Sequence, residues 1–217
     1  MPKQLAILCA SLVLFHLQGA PSRQAPDAGQ GWTRLFNGKN LDGWKPYGDE
    51  KWVVEDGTIL GESAAGKYGY LVTDRAYRDF DLRVRFKGEA KGNSGLFYHC
   101  RITGASKDGP DIEGVQAEVD PTPGQHTGGL YESGGRGWLI QPTPEGEKAL
   151  KPGEWNLLEV SAHGSRVITR LNGMVIADYH DDAPKFTEGA IALQIHTGGG
   201  VKVRWKDIEI RGTPVPK

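Results

Sequence analysis

Apolar and polar residues alternate along much of this chain, and almost nowhere do apolar positions recur at helical spacing. Phe80-Asp-Leu-Arg-Val-Arg-Phe86 is the cleanest run. Phe80, Leu82, Val84 and Phe86 oppose Asp81, Arg83 and Arg85, the pattern of a half-buried strand. Lys51 to Glu55 and Thr58 to Gly61 flank Asp56-Gly57, while Arg166 to Leu171 and Met174 to Asp178 flank Asn172-Gly173. Both dipeptides tolerate the positive φ that a two-residue hairpin turn requires. Further strands are predicted at Gly95 to Arg101, Gly114 to Asp120, Trp155 to Ala162 (turning at His163-Gly164), Ala190 to His196 and Val201 to Ile210. In the last, Val203 and Trp205 share one parity and Ile208 and Ile210 the other, so a bulge is expected near Lys206-Asp207. Short strands joined by turn chemistry, with few helices, predict an all-β fold: a jelly-roll sandwich of two antiparallel sheets.

Three of these strands gather polar groups on one face. In Gly114 to Asp120, Gln116, Glu118 and Asp120 oppose Val115, Ala117 and Val119. In Asn93 to Arg101, Asn93, Gly95, Phe97, His99 and Arg101 alternate with Ser94, Leu96, Tyr98 and Cys100. In Ala190 to His196, Gln194 and His196 share a face against Ile191, Leu193 and Ile195. If the three faces line one concave sheet, His99, Arg101, Gln116, Glu118, Asp120, Gln194 and His196 converge. The competing readings are a solvated outer face, a strand-end His196 bonded to a carbonyl, and Arg101 pairing structurally with Glu118 or Asp120. A Pro/Gly loop from Pro121 carries His126 and leads to Tyr131, and Trp138 lies in a Gly-rich stretch with little core to join.

The chain has 217 residues. Met1-Pro-Lys3, an apolar run to Leu17 and Gln18-Gly-Ala20 read as a secretory signal peptide over 1–20, too short to span a membrane. Residues 21–30 read as a flexible linker, and 31–213 as the folded domain. Losing Lys3, the one charged residue of 1–20, moves the formal net charge from −1 to −2. A nearly neutral chain without a basic run gives no support for nucleic-acid binding, and no membrane span is expected beyond the leader. The mature chain keeps one cysteine, Cys100, read as a core residue on the Leu96 and Tyr98 face. Export, secreted or periplasmic, is the expected destination.

Glu118-Val-Asp120 matches the first half of the Glu-x-Asp-x-x-Glu pattern of retaining glucanases, but Pro123 occupies the second Glu position. Without the second carboxylate, that mechanism has no acid/base partner. A broader likeness covers the whole domain. Trp32-Thr-Arg-Leu-Phe-Asn-Gly-Lys-Asn-Leu-Asp-Gly-Trp44, Asn93-Ser-Gly-Leu-Phe97, Thr127-Gly-Gly-Leu-Tyr131, Lys151-Pro-Gly-Glu-Trp-Asn156 and Leu193-Gln-Ile-His196 together resemble the 3-keto-disaccharide hydrolase family. The resemblance implies a concanavalin A-like fold. It also implies cleavage of a glycoside whose C3 hydroxyl has been oxidised to a ketone, a carbohydrate supplied by an upstream sugar 3-oxidase. On that chemistry Glu118 or His196 removes the C2 proton, Arg101 or His99 stabilises the enolate, and Asp120 or Tyr131 assists the leaving group. His99, Gln116, Tyr131, Trp138 and Gln194 are expected to bind substrate. A divalent metal on His99, Glu118 and His196 is chemically reasonable, although the spacing does not demand it.

Two other classes compete. A non-catalytic carbohydrate-binding module would use the same fold, but lectin faces rely on aromatics and amides rather than two histidines and two carboxylates. A structural or adhesion domain would call for an apolar self-association patch, and none is evident in the sequence.

Overall fold

A computed structural model describes residues 31–90 and 92–216; the expected leader at 1–20 and linker at 21–30 lie outside the described residues. The strands in chain order are β1 (Thr33–Arg34), β2 (Trp44–Tyr47), β3 (Lys51–Glu55), β4 (Thr58–Glu62), β5 (Gly69–Gly88), β6 (Ser94–Ser106) and β7 (Gly109–Val119). They continue as β8 (Leu130–Ser133), β9 (Gly137–Ile140), β10 (Asn156–His163), β11 (Arg166–Leu171), β12 (Met174–His180), β13 (Gly189–Ile195) and β14 (Lys202–Pro214). A short 3-10 helix, Gly146–Ala149, is the one helical element among the described residues.

The strands form two antiparallel sheets that share β5, so the all-β sandwich read from the sequence holds. The first half of β5 pairs with β2 and β13 in a front sheet ordered β2-β5-β13-β6-β7-β8-β9. Its second half pairs with β10 and β14 in a back sheet ordered β3-β4-β14-β5-β10-β11-β12, with β1 also on β14. Phe80, Leu82, Val84 and Phe86 face the core and are at most 1% exposed. Each such side chain contributes about 1.5–3 kcal/mol by leaving water. Leu71, Leu96, Tyr98, Ala117, Leu193 and Ile195 close the core from the front sheet.

Both hairpin turns take the positive φ their sequences allow, at Asp56 (50°) and Gly57 (71°), and at Asn172 (51°) and Gly173 (86°). The bulge expected in the last strand is present: register shifts between Lys206 and Glu209, with Asp207 at φ 49°. One strand half escapes the sequence pattern. Along Gly69 to Thr73 every residue is buried, with Leu71 in the main core and Tyr70 and Val72 in a second cluster on the outer face of the front sheet. Burial on both faces leaves no alternation to detect.

A second bulge, in β6, changes which residues face where. His99 sits at φ 47°, and the pairing of β6 with both neighbours shifts there. The extra residue reverses the parity beyond Tyr98. Cys100 is buried as expected, but it joins Phe97 and Ala192 on the outer cluster rather than Leu96 and Tyr98 in the main core.

Candidate active site

The register of the front sheet lays side chains out in rows. Tyr70, Gln194, Gly95 and Glu118 are direct partners across β5, β13, β6 and β7. The next row runs Val72, Ala192, Phe97, Gln116, Tyr131 and Trp138, out to β9. Above these rows lies a cavity of about 520 Å³, floored by Tyr70, Phe97, Gln116, Glu118 and Gln194. His196, one residue past β13, and Asn93, just before β6, lie at one end. Tyr68, just before β5, closes a side, and Tyr131 with Trp138 forms an exposed rim on β8 and β9.

Glu118 is the chemical centre of this floor. It is 3% exposed and accepts hydrogen bonds from Asn93 Nδ2 on Oε1 and from Gln116 Nε2 on Oε2. Burial pushes its carboxyl up to about 8; the charge of Asp120 adds to the rise, and the Gln116 and Asn93 bonds oppose it. Gly95 makes the arrangement possible. A Cβ there would lie 2.5 Å from Gln116 Cδ, so only glycine lets Gln116 lie flat across β6 toward Glu118.

Two acceptors on the cavity wall, Asn93 Oδ1 and Gln194 Oε1, are buried with no hydrogen-bond partner among the described residues. Buried acceptors without partners cost free energy, so a ligand that donates hydroxyl hydrogens into them gains it back. Tyr70, 3% exposed beside the Gln194 amide, has its phenol pushed well up by burial and stays protonated. His196 is half-buried, with Nδ1 3.2 Å from the Thr197 carbonyl and 3.4 Å from the Thr197 hydroxyl, and Nε2 in a hydrogen bond with Tyr68 Oη at 3.1 Å.

The rim is built differently. Tyr131 and Trp138 are 36% and 39% exposed and meet edge to face at 5.4 Å, with His126 against Trp138 at 5.2 Å. Arg136, in the turn between them, bridges Glu132 and Asp181, and Lys185 donates to the Gly134 carbonyl at 2.7 Å. The hairpin is thereby tied to the β12–β13 connection.

The structure brings together Gln116, Glu118, Gln194, His196, Tyr131 and Trp138, and it separates His99, Arg101 and Asp120 from them. The β6 bulge explains the first two. His99 turns from the cavity to pack against Phe80 and Tyr98, with Nε2 2.8 Å from the Arg78 carbonyl, and burial lowers its pKa. Arg101 is exposed and stacks its guanidinium over Phe186 at 3.8 Å. Asp120 follows the end of β7 and caps the loop: Oδ1 accepts from Thr122 N, and its own N donates to Thr127 Oγ1. It reaches the site only through its charge on Glu118. The proposed metal trio is not assembled, and among the described residues no three His, Cys, Asp or Glu side chains are grouped to hold an ion. Nor does any Arg or Lys line the cavity among the described residues, whereas Asp111 and Glu113 do.

Sequence reasoning missed Tyr68, Tyr70 and Asn93 as site residues. Asn93 carried a signal, since it shares parity with Gly95 and Phe97. The tyrosines carried none, because they lie where alternation is absent.

A family described as the 3-keto-α-glucoside-1,2-lyase-like domain matches residues 31–211. A 3-keto-disaccharide hydrolase from Bacteroides thetaiotaomicron is 27% identical over 73% of this chain, and the match spans 62% of that protein's length. A candidate glycosyl hydrolase from Parabacteroides distasonis is similar in structure, with a TM-score of 0.61 and 26% identity over 84% of this chain and 94% of its own. A carbohydrate-binding module from Bacillus subtilis shares the fold at a TM-score of 0.58, with 17% identity over 77% of this chain and 94% of that one. Nearly all of the described sandwich falls within the matched residues, and the chain belongs to the 3-keto-α-glucoside-1,2-lyase-like domain family.

Proposed function

We propose that the cavity cleaves the glycosidic bond of 3-keto-glycosides, with Glu118 as the base that removes the C2 proton. The observation that carries this reading is the Glu118 environment: a buried carboxyl raised to about 8, between two amides. Burial makes a carboxylate a stronger base, which suits a carbon acid made reactive by the neighbouring ketone. The C2–H electron pair moves into the enolate. Its return expels the C1 oxygen and leaves a C1–C2 double bond conjugated with the C3 ketone, and water then adds across that bond to complete hydrolysis. Asn93 Oδ1 and Gln194 Oε1 accept sugar hydroxyls, and Tyr131 and Trp138 cover the part of the ligand nearest the rim. With the leader read at 1–20, we propose that the reaction runs outside the cytoplasm, secreted or periplasmic, downstream of an oxidase that makes the C3 ketone.

The lectin reading keeps one observation in its favour, the exposed aromatic pair beside a fold shared with a carbohydrate-binding module. Aglycone release separates the two. Chromogenic 3-keto-α- and β-glucosides and their unoxidised parents are incubated with the protein, with and without EDTA. Release from a keto substrate alone is the expected result, and the EDTA arm separates a protein-only reaction from a metal-assisted one. No release from either substrate, with sugar binding still measurable by calorimetry, overturns the reading in favour of the lectin.

A further inference from the structure

We infer that Tyr68 is the general acid of this site and that His196 is its positioning residue, an assignment that rests on the 3-keto-glycoside reading above. Elimination needs a proton at the leaving oxygen as well as a base at C2. Asp120 is committed to its loop, and Tyr131 lies on the exposed rim. On the wall near His196, the hydroxyl placed to donate is that of Tyr68.

Its placement is over-determined for a residue in a loop. The carboxylate of Glu50, 6% exposed, accepts from Lys67 N at 2.6 Å, from Ala65 N at 3.2 Å and from Ala64 N, which pins the segment leading into Tyr68. Tyr68 N donates to the Asp108 carbonyl at 2.7 Å. Its own carbonyl lies so close to Gly109 that a Cβ there would come within 2.5 Å. The ring stacks on Tyr70 at 6.2 Å and meets His196 edge-on at 4.7 Å. Tyr68 and Glu118 line the same cavity, so an acid and a base face one bound ring.

The proton count closes. With substrate bound, rotation about Cζ–Oη turns the Tyr68 hydroxyl from His196 Nε2 to the glycosidic oxygen. The C1–O bond breaks with its electron pair on that oxygen, which takes the Tyr68 proton, while Glu118 holds the proton from C2. Water then adds at C1, giving a proton to the Tyr68 phenolate and its hydroxyl to carbon, and Glu118 returns its proton to C2. Both residues end as they began.

Tyr68→Phe removes only the hydroxyl, and its melting temperature is compared with wild type to confirm an intact fold. Rates are measured on 3-keto-glucosides bearing a nitrophenolate and an alkoxide leaving group. Nitrophenolate departs without protonation, so that substrate is expected to lose only a few fold, whereas the alkyl glycoside loses about 10²–10⁴-fold. The enone absorbing in the ultraviolet is expected to build up in the variant, because hydration has lost its base. His196→Ala follows the same leaving-group pattern with a smaller loss. Equal losses on both substrates, or loss on neither, overturn the assignment while the 3-keto-glycoside reading stands. No release by wild type from either substrate overturns that reading and the assignment with it.

Discussion

The floor and the rim line the same cavity but are built on opposite principles. The floor is polar, buried and held by register: Glu118, Gln116 and Gln194 are each at most 4% exposed and sit in strands locked to both neighbours. The rim is aromatic and more than a third exposed, on two short strands at the edge of the sheet. Low local dielectric strengthens every interaction on the floor and raises the proton affinity of Glu118; water at the rim leaves mainly contact area and stacking. On the reading proposed above, the floor supports chemistry and the rim supports affinity.

The sharpest way to test this division is Glu118→Gln, which keeps the shape and removes the base. Turnover is expected to fall by about 10²–10⁴-fold with KM little changed. The same variant reports on stability. The folded chain holds the Glu118 proton up to about pH 8, whereas the unfolded chain releases it near 4.5, so stability falls as pH rises through that window. Glu118→Gln has no such loss, and urea titration at pH 9 is expected to show a higher midpoint than wild type.

Trp138→Ala addresses the rim. Loss of one aromatic contact of ~0.5–1.5 kcal/mol raises KM about two- to tenfold, with kcat retained. A fall in kcat as large as that of Glu118→Gln would erase the distinction between floor and rim. Asp120→Asn gives the smallest effect. The amide keeps an acceptor for Thr122 N but removes the charge that helps to raise Glu118, so the rise of activity with pH moves to lower pH. A profile that stays in place would show that Asp120 has no electrical hold on the base.

Two neighbouring strands show what was legible in the sequence. In β7 alternation runs unbroken from Val115 to Val119, so Gln116 and Glu118 were assigned to the site face by parity alone. In β6 the same counting fails after Tyr98, because a residue at positive φ in a bulge leaves no mark when it is histidine rather than glycine. Parity therefore assigns His99 and Arg101 to the cavity face, and the bulge turns them away. Tyr68 and Tyr70 were invisible for another reason: one lies in a loop and the other in a strand buried on both sides. The hairpins and the bulge near Lys206 were readable because Gly, Asn and Asp placed φ > 0 where turns need it, or because apolar parity itself changed. Adjacency of β13 to β6, which completes the floor, is a long-range pairing that local pattern does not encode.

The central claim is that Glu118 abstracts the proton at C2. The direct test compares the rate of aglycone release from a 3-keto-glucoside carrying deuterium at C2 with that from the unlabelled substrate. The account predicts a primary isotope effect on release, and no release in Glu118→Gln. Release of aglycone from the labelled substrate at the same rate as from the unlabelled one would contradict it.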